Sequence, residues 1–297
     1  MIKYFIQMKG GQKKMKTQTK IFAGITVVAL MLAFLPLVFA DECVGQNCGA
    51  NINLTIGNNA PTIPYVEPVS AITLNGGTTK SVTVSFNATD TNGYADLDVA
   101  SAKVELINGA TIRTLSSCSS VSDSGDTSEI ECTGDLNFYD DAGSWTVNAS
   151  IEDLASSYVE NASTSATVNA LDYVEQDVNY FAWATATLGT NDLEADNQLT
   201  LTNGGNQDYT TMNIKGQDAT YSTSTIDAEQ FSVDNVGSAT TGQIYMIGNT
   251  NVDVSAKLGL TTHGASVTEV VYAYVDVPTG ILSGLYQSTS AWEISLT

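Results

Sequence analysis

Histidine is nearly absent from this 297-residue chain, where His263 stands alone; cysteine (4), proline (5) and Lys+Arg (11) are scarce, and aromatics make up 8%. Each scarcity removes a class of function. A serine-type relay would have to use His263, which sits in the loop-like Thr261-Thr262-His263-Gly264 with no nucleophile elbow to serve. Four cysteines with one distant histidine make no zinc motif, and no phosphate-cradling glycine loop occurs. The 32 acidic residues guarantee carboxylate pairs by chance, so no glycosidase dyad stands out. The sequence predicts no catalytic residue and no enzyme.

The few basic residues are also unevenly placed. Lys3, Lys9, Lys13, Lys14, Lys16 and Lys20 form a lead without acids, followed by the apolar run 21–40 and then Asp41-Glu42. That order is an export signal over residues 1–40, with Val38-Phe39-Ala40 as the small-x-small cleavage signature. Met15 opens a more ordinary signal than Met1 or Met8. Pro36 and Ala40 favour cleavage; if retained, residues 21–40 are long enough to span a bilayer and would be the chain's membrane contact. Six of the 11 basic residues leave with the signal, so the remainder sets 5 against 32 acids, a formal charge of −27. Such a chain repels nucleic acid and anionic membranes. Its acidity serves either surface solubility or divalent cations. No second apolar run of membrane length occurs, and 291–297 reads as a strand, so no C-terminal anchor is expected.

No convincing helical period follows the signal. Period two dominates instead. Val82, Val84 and Phe86 alternate with polar neighbours, as do Ala102, Val104 and Leu106, then Trp145, Val147, Ala149 and Ile151. Turns such as Asn75-Gly76-Gly77, Asn92-Gly93 and Asn108-Gly109 punctuate the strands. The alternation fades near 163–177 and resumes with Leu199 and Leu201, then Val252, Val254, Ala256 and Leu258, then Val271, Ala273, Val275 and Val277, and Trp292, Ile294 and Leu296. An all-β fold of two tandem sandwiches is predicted: a Cys-containing lead at 41–60, a first sandwich at 61–168 and a second at 169–297.

An exported chain makes disulfides the default. Cys118 and Cys132 bracket a Ser/Asp-rich loop; Cys43 and Cys48 lie close enough to close a small ring, with a metal site or an intermolecular link as alternatives. Four glycosylation sequons begin at Asn53, Asn87, Asn148 and Asn161, with Asn87 and Asn148 on the wet faces of their strands. Calcium is the one cofactor with a candidate site. Asp90, Asn92, Asp96 and Asp98 place oxygens at alternating positions around a glycine turn, though without the twelve-residue loop and closing glutamate; an ordinary Asn-Gly turn is the competing reading. Asp140-Asp141 would join the set if the fold brought them near. Tyr272, Tyr274 and Tyr286 offer either a sugar-stacking face or the outer cover of a sandwich strand.

The run Asp141-Ala142-Gly143-Ser144-Trp145-Thr146-Val147 resembles the D-x-G-x-Y strand of immunoglobulin-like and PKD-like domains, and 82–98 resembles their early strand and turn. Trp145 stands where the family has its corner tyrosine, leaving an indole N–H for the corner hydrogen bond. The resemblance covers about 60–165, and its sequon-rich, Thr/Asn/Asp-rich style is similar to archaeal envelope proteins. Fold-level likeness alone does not fix a function; taken with the export signal and the missing catalytic motifs, the sequence predicts a non-catalytic, secreted or surface-displayed protein with a structural or adhesive role. Expected partners are other envelope proteins or further copies of itself through strand exchange, with the C-terminal strand as donor. A polysaccharide-binding module is the alternative, and a secreted hydrolase ranks below it.

Overall fold

The computed structural model describes residues 52–297. The export segment 1–40, Cys43 and Cys48 lie outside these residues. Gly57–Thr297 forms one compact unit. It is all-β: its only helical turns are two three-residue 3-10 segments. No helix among the described residues is long and apolar enough to cross a membrane.

The first core is built by β1 (Thr62–Val66), β2 (Lys80–Thr89), β3 (Leu97–Asn108), β4 (Thr111–Leu115), β5 (Ser117–Ser124), β6 (Thr127–Leu136), β7 (Gly143–Asp153) and β8 (Tyr158–Val168). They form two four-stranded sheets, ordered β1-β2-β6-β5 and β4-β3-β7-β8. This is the immunoglobulin order A-B-E-D against C-F-G, with β4 added beside β3. The period-two residues do what their spacing requires. Val82, Val84, Phe86 and Ala88 of β2 face Trp145, Val147, Ala149 and Ile151 of β7 in one buried cluster. Trp145 is fully buried, and its Nε1–H donates to the Asp141 carbonyl at 2.9 Å. An indole thus makes the corner hydrogen bond, reaching back four residues from Trp145 to the backbone just ahead of the seventh strand. Cys118 and Cys132 are directly paired across β5 and β6 and form a disulfide.

The second core is lined by shorter strands: β9 (Val174–Gln176), β10 (Leu193–Glu194), β11 (Leu199–Asn203), β12 (Met212–Lys215), β13 (Ala219–Tyr221), β14 (Ser224–Ile226), β15 (Phe231–Asp234), β16 (Ile244–Tyr245), β17 (Asn251–Asp253), β18 (Val267–Val275), β19 (Gln287–Ser288) and β20 (Glu293–Leu296). One sheet runs β16-β15-β18-β11-β9 with β10 also on β18; two three-stranded sheets run β17-β12-β20 and β14-β13-β19. All three contribute to one cluster, among them Leu201, Met212, Ile214, Ile226, Phe231, Val233 and Val271. Phe231 is gripped by Trp183 and Trp292, with ring centroids 5.7 and 5.6 Å away.

Two expectations for this half are corrected. The alternating run from Val252 to Leu258 is not one strand. Asp253 Oδ1 accepts the Ser255 N–H at 2.9 Å, and Lys257 and Leu258 both donate to the Val254 carbonyl, so the chain turns after Asp253. Val254 and Leu258 are buried from either side of that turn. The second correction concerns tyrosine. Tyr274 is not on an outer face; it is fully buried under the 235–243 segment, its hydroxyl donating to the Val236 carbonyl at 2.5 Å and accepting from Ala239 N–H at 3.2 Å. Tyr286 instead lies against Tyr221, 5.8 Å between centroids. The three tyrosines make no common stacking face. The C-terminal strand β20 pairs with β12 of its own chain, and the Thr297 carbonyl accepts from Thr210 and Thr211.

Candidate metal centre and the joint between the two cores

Two polar constellations lie at opposite ends of the first sandwich. The first is at the end where β2 and β7 finish. Period two carries the dry face of β2 one step past Ala88 to Asp90, and that of β7 one step past Ile151 to Asp153. Both carboxylates are accordingly turned inward and buried. The pairing of Leu97 with Asp153 between β3 and β7 sets Asp96 beside Asp153, and the Leu154 N–H donates to the Asp96 carbonyl at 2.8 Å. Gly93, with φ of 106°, allows the tight turn that brings Asp96 back toward Asp90. One carboxylate oxygen from each of Asp90, Asp96 and Asp153 lies within 4.8 Å of the other two.

The partners of these groups differ. Asp153 Oδ1 accepts the N–H groups of Ala155 and Ser157 at 2.9 and 2.7 Å, and Oδ2 accepts from Asn58 Nδ2 at 2.7 Å. The Asn58 hydrogen bond, with those from Ser157 and Ala155, outweighs burial and lowers the Asp153 pKa. Asp90 Oδ1 accepts the Asn92 N–H at 2.8 Å, whereas Oδ2 is buried with no hydrogen-bond partner.

Of the four residues proposed from sequence, the fold brings Asp90 and Asp96 together and adds Asp153. Asp98 instead accepts the Ala100 N–H at 3.1 Å, and Asn92 Oδ1 accepts the Asn59 N–H at 2.9 Å. Asp140-Asp141 lies at the other end. This third carboxylate was within reach of sequence: extending the Trp145–Ile151 alternation by one step lands on Asp153.

The second constellation joins the two cores. Asn75-Gly76-Gly77 from the first and Asn203-Gly204-Gly205 from the second meet here, and the Gly77 N–H donates to the Gly204 carbonyl at 2.9 Å. The Tyr173 ring packs so closely on Gly76 and Gly204 that a Cβ at either would fall 2.4 or 2.7 Å from it. Asn206 is buried; its Nδ2 donates to the Asp140 and Asn169 carbonyls at 2.9 and 3.0 Å, and its Oδ1 accepts the Leu171 N–H at 2.7 Å. Asp140 is held in turn by Arg113, whose Nε lies 2.9 Å from both carboxylate oxygens. His263 closes the joint, with Nδ1 2.6 Å from Asp208 and Nε2 2.8 Å from Asp141. Burial of the imidazole opposes its charge, but the hydrogen bonds and charges of the two aspartates prevail and raise its pKa.

The sequons sit in different surroundings. Asn53 is exposed and Asn87 half-buried. Asn148 Oδ1 is enclosed without a partner while its Nδ2 reaches Glu160 at 3.2 Å. Asn161 Nδ2 donates to the Ile63 carbonyl at 2.8 Å.

No known family matches the chain, and no curated protein matches it. Among solved structures it is similar to a chain of a chaperone–tip adhesin complex of CFA/I fimbriae biogenesis, at 8% identity and a TM-score of 0.29, covering 82% of this chain and 98% of that one.

Proposed function

We propose that this chain is an exported, non-catalytic protein of the cell surface or envelope with a structural or adhesive role. The observation that carries this reading is the joint. Two separate hydrophobic cores are tied by backbone, amide and ion-pair contacts through glycines that admit no side chain. Such a link resists bending and transmits force between modules, where a flexible linker would let them reorient. The basic leader and the formal charge of −27 after its removal support residence outside the cytoplasm. The polysaccharide-binding alternative loses its support where Tyr274 is buried.

Fractionation of the native cells tests this. The protein is expected in the envelope or medium, shortened by the leader, and accessible to protease added to intact cells. Full-length protein confined to the cytosol would overturn the reading.

A further inference from the structure

We propose that Asp90, Asp96 and Asp153 form a calcium site at the end of the first sandwich remote from the joint. Three observations converge on it. The first is geometric. Oxygens bound to one calcium ion lie 2.3–2.6 Å from it, so any two are at most about 5 Å apart. The three aspartate oxygens satisfy this limit, all lying within 4.8 Å of one another.

The second is an unmet demand. Asp90 is fully buried, yet its Oδ2 has no hydrogen-bond partner. A buried polar atom without a partner is costly, and a buried carboxylate oxygen more so. This oxygen belongs to the carboxylate that faces Asp96 and Asp153, and a cation among them supplies what it lacks.

The third is charge. Every ion pair among the described residues draws its cation from Lys103, Arg113, Lys215, Lys257 or His263, and none goes to these three aspartates. Three carboxylates so close repel one another, two of them in a buried setting where repulsion is poorly screened. A divalent cation reverses the sign of that interaction. The donor set is oxygen only, with no cysteine or histidine, which selects a hard cation over zinc. Calcium is favoured over magnesium because the backbone holds the carboxylates at fixed positions from three different strand ends. Calcium tolerates irregular oxygen shells, whereas magnesium demands a near-ideal octahedron.

The site has a structural consequence. Asp153 also receives Asn58, on the segment that leads into the first strand. Calcium would therefore secure both sheets and this leading segment at once.

The test uses the exported chain as isolated, freed of metal with EDTA and dialysed. Titration with CaCl2 in a calorimeter should show one site per chain. Saturating calcium should raise the thermal midpoint by roughly 5–10 °C, the shift that ligand at 100 times its Kd gives a unit of this size. Asp96→Asn, at a half-exposed position, should abolish both responses while raising the midpoint in EDTA, because it relieves repulsion. Asp98→Asn, in the same loop but outside the grouping, should keep both. Absence of heat and of any shift at about 10 mM calcium, above the weakest range of extracellular calcium modules, would overturn the site. So would a calcium response that survives Asp96→Asn. An equal response to MgCl2 would overturn the assignment to calcium. Asp90→Asn is the sharper variant; should it fail to fold, Asp96→Asn still decides.

Discussion

His263 Nε2 lies 2.8 Å from Asp141 Oδ1 across the joint, while its Nδ1 lies 2.6 Å from Asp208 Oδ1. Both ring nitrogens therefore face carboxylates, and only the imidazolium can donate to both. A neutral ring would turn a lone pair toward one of the aspartates. The raised pKa agrees with this arrangement. Because the folded-state value exceeds the unfolded value of about 6.5, the stabilisation is complete below that pH and is lost as pH rises through the folded value. The thermal midpoint of the wild type should fall from pH 6 to pH 9 more steeply than that of His263→Gln. The His263 Cε1–H resonance, followed by NMR over the same range, should titrate above 6.5. A wild-type slope equal to that of the variant would remove His263 from the joint's energetics.

Gly205 is the least replaceable residue of the joint. A Cβ there would meet the Leu171 carbonyl oxygen at 2.1 Å and the Tyr173 nitrogen at 3.0 Å, both backbone atoms that cannot swing aside. Gly205→Ala should cost about 1–3 kcal/mol, the range for forced overpacking. Gly57→Ala, where a Cβ meets nothing within 4 Å, should be neutral. Urea denaturation of both variants checks this, and equal midpoints would contradict the close approach.

The contrast between these glycines and the strands marks what was legible in the sequence. Alternation revealed the dry faces of β2 and β7, because a period of two is written directly into the chain. The fold class followed from it. The corner hydrogen bond was legible too, since Trp145 offers an N–H at the position of the corner tyrosine in the domains this stretch resembles. Asn75-Gly76-Gly77, by contrast, read only as a turn, and nothing local marked Asn203-Gly204-Gly205 as its partner. Their meeting across Tyr173 depends on how the two cores dock, which no local pattern encodes. Tyr274 failed for a similar reason. Its place on the alternate face of β18 was correct, but the 235–243 segment folds over that face and makes it interior. The Val252–Leu258 run failed locally, because the Asp253 side chain captures the Ser255 N–H and competes with the ladder.

Arg113 anchors the loop that carries the joint's Asp140 and Asp141. The Asp140 side chain is only 1% exposed. Besides Arg113, its Oδ2 accepts the Asn137 N–H at 2.8 Å. Arg113→Ala leaves a buried carboxylate without its counterion, a change that costs about 3–5 kcal/mol. Arg113→Lys keeps the charge but not the fork that spans both oxygens, so its loss should be intermediate. Chemical denaturation would rank the three proteins, and a neutral Arg113→Ala would show that Asp140 is satisfied by its amide contacts alone.

The Cys118–Cys132 disulfide staples β5, an edge strand whose side chains are mostly exposed, to β6. With few buried side chains of its own, β5 relies on its ladder and this covalent link. The loop closed spans 14 positions, for which the chain-entropy account gives about 3 kcal/mol. Reduction, or a double Cys→Ser variant, should lower stability by about that amount. Hydrogen exchange should also accelerate first in β5. Uniform acceleration across both cores would mean the bond stabilises the unit as a whole instead.

Glycan occupancy should follow the amide nitrogen that receives the sugar. Asn161 Nδ2 is engaged with the Ile63 carbonyl and Oδ1 with the Ser163 N–H, so attachment there competes with a contact between the first and eighth strands. Asn148 has its oxygen enclosed and its nitrogen turned to Glu160. Asn53 is exposed, and Asn87 lies half-exposed on the polar face of β2. Glycopeptide mass spectrometry of the native protein should therefore find higher occupancy at Asn53 and Asn87 than at Asn148 and Asn161. The reverse order would mean that transfer precedes folding, when all four side chains are equally accessible and the folded contacts impose no selection.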